Sequence, residues 1–258
     1  MPGCIGLMNL EKGKTRHSIN KRWRCNKRNC RHTASLFHNT IFDHSYFYIS
    51  QILELIYTYC ENDSMTETTD KLGIDKYSVR TFYKKIDDII VAQYDHLQES
   101  GKIGGEYIVE MDETHLFKRM YHRGRILRAQ SFWVIGAYKR VTKKIKLQVT
   151  TRRNWPTLLQ FISDNILSHT TIITDEWRGY SRLTECGYIH QTLNHSVEFV
   201  SSMNPEIHTN NIERLWRTLK NNVSRNTRFS QLEKKLKIFE IKHNIKVKNT
   251  SEKLYLIL

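Results

Sequence analysis

Apolar residues recur at helical spacing from Tyr46 to Tyr59 (Phe47, Ile49, Ile52, Leu53, Leu55, Ile56), which predicts an amphipathic helix. A further helix opens at Ser64, where Glu67 three residues on fits a capping box. Thr66–Leu72, the turn Gly73-Ile74-Asp75 and Ser78–Ile90 then read as helix, turn, helix. Thr69, Gly73 and Val79 supply its small, turn and packing positions. Arg80, Lys84 and Lys85 on the second helix suit a DNA groove and its phosphates. Two helices that pack for stability alone would show the same pattern.

The texture changes after the Gly-rich stretch Ser100–Gly105. Tyr107–Met111, Ser131–Tyr138 and Ile145–Thr150 predict three successive strands, and Trp155–Leu167 an amphipathic helix with Pro156 in its first turn. Thr171–Thr174 is a short buried strand that runs into Asp175, and Tyr188–Leu193 is a candidate fifth strand. His208–Arg225 and Gln231–Lys246 have helical periodicity. Strands and helices in this order make an α/β layer with a mixed sheet. The organisation expected is a polar, irregular segment at 1–45, a helical region at 46–100, an α/β domain at 105–228 and a basic helix and tail at 229–258.

Charge changes the picture more than composition does. Lys and Arg number 41 against 26 Asp and Glu, for a net charge of +15 over 258 residues. Residues 1–45 carry +7 and 214–258 carry +9, while 46–213 carry −1. Basic ends around a near-neutral centre fit an enzyme that grips phosphates at its flanks and works at an acidic site between them. Solvated basic surface would look alike. The 39% hydrophobic share excludes a disordered polycation. No apolar run reaches the length of a membrane span, and the start lacks a signal-peptide pattern. Five cysteines are too few and too odd for a disulfide scaffold, which suggests a reducing compartment.

Three acids stand at informative places. Asp112 ends one apolar strand, Asp175 ends another, and Glu213 lies in an amphipathic helix. A carboxylate at a buried strand end is costly unless it binds something. Two such groups on adjacent strands can share a divalent cation, and paired ions about 4 Å apart suit phosphoryl transfer. Each acid taken alone could instead be a cap or an ion-pair partner. Strand alternation puts Glu110 on the same face as Asp112 and Glu113 on the other, so Glu110 is the nearest rival for a metal. Glu113 and Glu176 are the other competitors for the metal.

The residues around these acids form an ordered series. It runs Trp23-Arg24-Cys25 with Cys30, Val109-Glu110-Met111-Asp112-Glu113-Thr114, Gly124-Arg125, Trp133-Val134-Ile135-Gly136 and Thr174-Asp175 with Gly179-Tyr180. It ends with Leu193-Asn194-His195-Ser196, then His208-Thr209-Asn210 followed by Ile212-Glu213, Trp216 and Lys220. Over about residues 20–225 the chain resembles the Merlin-type DDE transposases and their bacterial insertion-sequence relatives with an ISXO-like DDE domain. The resemblance implies a ribonuclease-H-like, five-stranded mixed sheet with Asp112 on its first, central strand and Asp175 after the fourth. It implies Asp112, Asp175 and Glu213 as catalytic metal ligands for two Mg²⁺ or Mn²⁺ ions, with Lys220 steadying a phosphate. Arg125 and Arg217 are the expected DNA contacts of that domain, beside Arg80, Lys84 and Lys85 further upstream. Such families commonly open with a zinc ribbon of two cysteine pairs. Here Cys25 and Cys30 form one pair, and the other is reduced to Cys4, with His17, His32 and His38 nearby. A Zn²⁺ site and a ribbon that has lost its metal are both open.

The expected function is a metal-dependent DNA transposase acting on double-stranded DNA (terminal inverted repeats and target), homo-oligomeric on DNA. It would work in the nucleus of a eukaryotic host or otherwise in the cytoplasm, with no membrane partner. The alternatives are a transposase-derived DNA-binding protein without catalysis and a ribonuclease-H-like nuclease that does not join strands.

Overall fold

The computed structural model describes residues 4–12, 21–35, 37–38, 40, 43, 47–94, 101–116, 132–193, 208–223, 227 and 229–246. The chain forms two compact units, with the boundary between Ile89 and Ile90. Among the described residues no helix is long and apolar enough to cross a membrane.

In the first unit, β1 (Met8–Lys12), β2 (Lys21–Cys25) and β3 (Thr33–Ser35) form an antiparallel sheet of order β1-β2-β3. The sequence reading treats this stretch as irregular. Its strands are only three to five residues long, and the alternation in Met8–Glu11 and Arg22–Cys25 is too brief to stand out in a basic stretch. Helix α1 (Ile49–Glu61) follows, three residues later than its apolar pattern suggests. α2 (Met65–Leu72) starts at the expected capping box: Ser64 Oγ accepts from the Glu67 N–H and Glu67 Oε2 from the Ser64 N–H. Gly73 ends it, and Asp75 caps α3 (Lys76–Ala92) by accepting from the Ser78 N–H at 2.9 Å. Ile52, Leu55, Ile56, Val79 and Ile86 are fully buried and form the helical core.

The second unit is built on a five-stranded sheet. Its strands are β4 (Val109–His115), β5 (Trp133–Lys139), β6 (Ile145–Thr150), β7 (Thr171–Asp175) and β8 (Ile189–Leu193), in the order β6-β5-β4-β7-β8. The first three pair antiparallel, and β7 and β8 run parallel to β4. The first strand is therefore central, with the fourth beside it. Helix α4 (Trp155–Asn165) starts at Asn154, whose Oδ1 accepts from the Thr157 N–H. It packs Leu158, Phe161 and Ile162 against Val109, Met111, Ile135 and Ile172. Helices α5 (Asn210–Asn222) and α6 (Phe229–Lys246) bury Ile212, Leu215, Trp216, Leu219, Leu232 and Leu236 with Val134 and Ile145. Alternation thus sends odd-numbered β4 residues into the α4 cluster and even-numbered ones to the α5 side.

The strand β6 ends the sheet, and its free backbone groups are not left open. Glu240 Oε2 accepts from the Leu147 N–H at 2.9 Å, and Asn244 both accepts from the Ile145 N–H and donates to the Ile145 carbonyl. Side chains of α6 thus stand where a sixth strand would pair, which blocks edge-to-edge association.

Candidate active site on the central strands

Asp112 and Asp175 lie side by side. The parallel pairing of β4 with β7 ends at Glu110 and Ile173, and Asp112 and Asp175 each lie two residues beyond it, near enough for Asp175 to act on the Asp112 carboxyl. Both are half-buried; Asp112 lies at the middle of β4 with its side chain on the α5 side, and Asp175 is the last residue of β7. Asp112 Oδ1 accepts from the Glu113 backbone N–H at 2.7 Å, and Oδ2 accepts from the Trp216 indole N–H at 2.8 Å. Asp175 Oδ1 accepts from the Trp177 N–H at 3.1 Å, which closes a turn after β7. Burial pushes the Asp112 carboxyl above its ordinary range, the Trp216 and Glu113 donors oppose that shift, and Asp175 adds to it. A half-buried carboxylate whose proton affinity is raised by burial and by a neighbouring acid is a group for which a cation substitutes well.

Glu110, the rival named above, has both oxygens engaged. It shares the Asp112 face, as alternation predicts, but all its capacity is used. It is fully buried, ion-paired with Arg140 at 2.7 Å, and accepts from the Asn211 and Ile212 backbone N–H groups and from Asn211 Nδ2. Arg140 also donates to the His208 carbonyl at 2.6 Å. A carboxylate set on the first N–H groups of α5 satisfies donors the helix cannot pair itself and complements its dipole. Glu110 therefore anchors the helix that carries Glu213.

Glu113 points to the opposite face. It is bonded to the Tyr180 hydroxyl and ion-paired with Arg153 at 2.8 Å, and Arg153 stacks 3.7 Å from the Trp177 ring centroid. Burial pushes its carboxyl up to about 7, against the pull of Tyr180 and Arg153. This buried Glu113–Tyr180–Arg153–Trp177 group is missed by sequence reasoning; the only sequence signal for it is the Gly179-Tyr180 dipeptide. Glu176 is exposed.

Glu213 sits in the first turn of α5, exposed, with Thr209 Oγ1 3.4 Å from its Oε1. Asn210 opens the helix, and Asn211, not Asn210, is the residue bonded to Glu110. Arg217 and Lys220 are exposed on the same helix. Arg125 lies outside the described residues. In the first unit Arg80 and Lys84 are exposed one turn apart, whereas Lys85 is half-buried and donates to the Asp43 carbonyl at 3.0 Å.

Among the described residues, the one set of three His, Cys, Asp or Glu side chains gathered closely enough to share an ion is Cys4, Cys25 and Cys30, with sulfurs within 4.8 Å of one another. The three proposed carboxylates are not drawn in to that spacing. The Cys4 and Cys25 sulfurs are 3.7 Å apart, close to the edge of about 3.8 Å expected for a tetrahedron of thiolates around zinc. Gly6 makes room for them, since a Cβ there would lie 2.5 Å from Cys25 Sγ. The Gly6 N–H, then the Cys30 and Cys25 thiols, lower the Cys4 thiol below its ordinary value, which favours the metal-binding thiolate.

A mixed sheet with its first strand central, the fourth parallel beside it and helices on both faces makes this a ribonuclease-H-like α/β protein. The ISXO2-like transposase domain family matches residues 102–235, more than half of the chain, and the chain belongs to that family. No curated protein matches it. Among solved structures it is similar to the HTLV-2 integrase catalytic core domain in complex with magnesium. The identity is 15% and the TM-score 0.31, covering 47% of this chain and 71% of that one. It is also similar to a chain of the simian T-cell lymphotropic virus intasome in complex with PP2A regulatory subunit B56 gamma. There the identity is 14% and the TM-score 0.35, over 73% and 66% of the two chains. For the BIV integrase catalytic core the values are 17% and 0.29, over 46% and 69%.

Proposed function

We propose that this chain is a metal-dependent DNA transposase that cleaves a phosphodiester at each transposon end and transfers the freed 3′-hydroxyl to target DNA. The observation that carries the reading is the placing of Asp112 and Asp175, each two residues beyond the last parallel pair of β4 and β7, inside the segment that matches a transposase domain. Hard carboxylate oxygens suit Mg²⁺ or Mn²⁺, and Asp112 and Asp175 would hold the ions with Glu213 as third ligand. Glu213 is exposed and one turn from Trp216, so it can close onto cations that the two aspartates hold. When bound, the ions supply Lewis acidity to the scissile phosphate and stabilise charge on the attacking and leaving oxygens. The chain's own contribution is positional. Glu110 and Arg140 fix the start of α5, Glu113 presents its N–H to Asp112, and Lys220 and Arg217 offer cations to the DNA backbone on the exposed side of α5.

The same reading assigns residues 1–90 to end recognition, with Arg80, Lys84 and Lys85 toward phosphates and Arg125 as a contact in the catalytic domain. Cys4, Cys25 and Cys30 would hold a structural Zn²⁺ with a fourth ligand from outside the three. Two copies would assemble on paired ends, in the compartment that holds the genome. The test is cleavage of labelled end duplexes by the purified full chain with Mg²⁺ or Mn²⁺. Cleavage with strand joining supports a transposase, cleavage without joining a nuclease, and binding without cleavage a DNA-binding protein.

A further inference from the structure

The Trp216 side chain is 5% exposed, and its indole N–H is directed at one oxygen of Asp112 rather than at a backbone carbonyl. The other Asp112 oxygen accepts from the Glu113 N–H, so each oxygen has one fixed donor. A carboxylate oxygen has two lone pairs, so each can keep its donor and still face a cation. Rotation of the carboxylate plane would break both hydrogen bonds together. The position of the ring is itself set by the strand beside Asp112. Gly136 is the residue paired with Asp112 in the β4–β5 register, and a Cβ there would lie 2.3 Å from Trp216 Cη2 and 2.9 Å from Cζ2. Glycine at this one place lets the indole lie across the strand and reach the aspartate.

We propose that Trp216 is a positioning residue that fixes the Asp112 carboxylate in the orientation that receives the cation, with Gly136 as the gap that admits it. The inference rests on Asp112 being a metal ligand. Outer-shell donors of this kind set the direction and basicity of a ligand, and their removal costs about 10- to 100-fold in metal affinity. The competing account is that the indole merely packs and uses Asp112 to satisfy its buried N–H.

The two accounts separate by direct Mn²⁺ binding to the full chain, measured from the electron paramagnetic resonance of free Mn²⁺. Trp216→Phe keeps an aromatic ring without the donor. Replacing Trp216 by 3-benzothienyl-alanine keeps the bicyclic shape with sulfur in place of the N–H, so it decides the matter where the Phe variant folds poorly. The expected result is Mn²⁺ affinity weaker by about 10- to 100-fold in both, with the Mg²⁺ needed for half-maximal cleavage raised by a similar factor and the rate recovering at high Mg²⁺. Asp112→Asn should lose binding outright and not recover. Wild-type Mn²⁺ affinity in both donor-free variants, beside loss in Asp112→Asn, overturns the role of Trp216 and leaves the ligand assignment standing. Wild-type affinity in Asp112→Asn overturns both.

Discussion

In the five-stranded sheet, Val109, Met111, Ile135, Ala137 and Ile172 have no exposed surface, and helices cover both faces. In the three-stranded sheet Leu10 is 46% exposed, the preceding Ile5 and Leu7 are 88% and 74% exposed, and Cys25 is its one buried hydrophobic residue. The first sheet is stabilised by area removed from water, at roughly 25 cal/mol per Å². The second has little such area, and small folds of that kind depend on cross-links or metals. Its three thiols lie within 4.8 Å of one another, Cys25 buried, Cys30 half-buried and Cys4 exposed. The same chain therefore builds two sheets on different physics. One can place carboxylates on its strands beside a core that excludes water, and the other, on the zinc reading proposed above, would depend on its cysteines.

The largest expected effect sharpens the first half of that contrast. Asp112→Asn or Asp175→Asn should lower end cleavage by on the order of 10³-fold or more, through loss of several kcal/mol of transition-state stabilisation. DNA binding should hardly change and the fold should persist, because the apolar core of Val109, Met111, Ile135 and Ile172 includes neither carboxylate. Cleavage at wild-type rates in either variant would remove the pair from the chemistry.

The second half is tested by metal removal. Purified protein should carry about one zinc per chain, since the binding free energy of a structural zinc is folding free energy. A strong chelator, or Cys25→Ser, should abolish amide protection in β1–β3 and leave β4–β8 protected. Protection that persists in β1–β3 after the zinc is gone would show that the thiols are passengers.

A smaller effect comes from Glu113 inside the five-stranded unit. Its carboxyl is pushed from an ordinary 4.5 up to about 7 by burial, so the folded chain holds a proton that the unfolded chain releases. Stability from this group is therefore fully present below about pH 4.5 and falls as pH rises to about 7, where it levels off. Thermal unfolding in EDTA across that range should show the decline, and Glu113→Gln should flatten it. An equal slope in both proteins would mean that another group titrates.

These placements differ in how far the sequence reveals them. The succession of strands and the placing of Asp175 at a strand end are legible because period-two alternation and apolar runs are local, whereas Asp112, read as ending its strand, stands at the middle of β4. The face of Glu110 is legible for the same reason. Its partners are not: Arg140 is 30 residues away and Asn211 101 residues away, and nothing local distinguishes a helix anchor from a metal ligand. β4 also runs on to His115, past the apolar run that ends at Met111, since Asp112 and Glu113 keep pairing with Gly136 and Ile135. The three-stranded sheet is illegible for the opposite reason. Its strands are short, and the apolar residues that alternate along them, Met8, Leu10 and Trp23, stay exposed.

The smallest effect concerns α3 of the first unit, where three basic residues have different surroundings. Arg80 and Lys84 are exposed one helical turn apart, so their side chains project from one face and are free to meet successive phosphates. Lys85 is half-buried, and its ammonium already donates to the Asp43 carbonyl. Its removal should therefore act on packing more than on DNA. Each phosphate contact releases about one counterion, so Arg80→Ala and Lys84→Ala should each reduce the slope of log affinity against log salt by about 1. Lys85→Ala should leave the salt slope nearly unchanged and lower the melting temperature slightly instead. Fluorescence anisotropy with end DNA at several salt concentrations measures both quantities. If Lys85→Ala flattens the slope as much as Arg80→Ala does, its bond to Asp43 opens on DNA and all three cations share one binding face. If none of the three changes the slope, α2 and α3 are a packing unit and end recognition lies elsewhere in the chain.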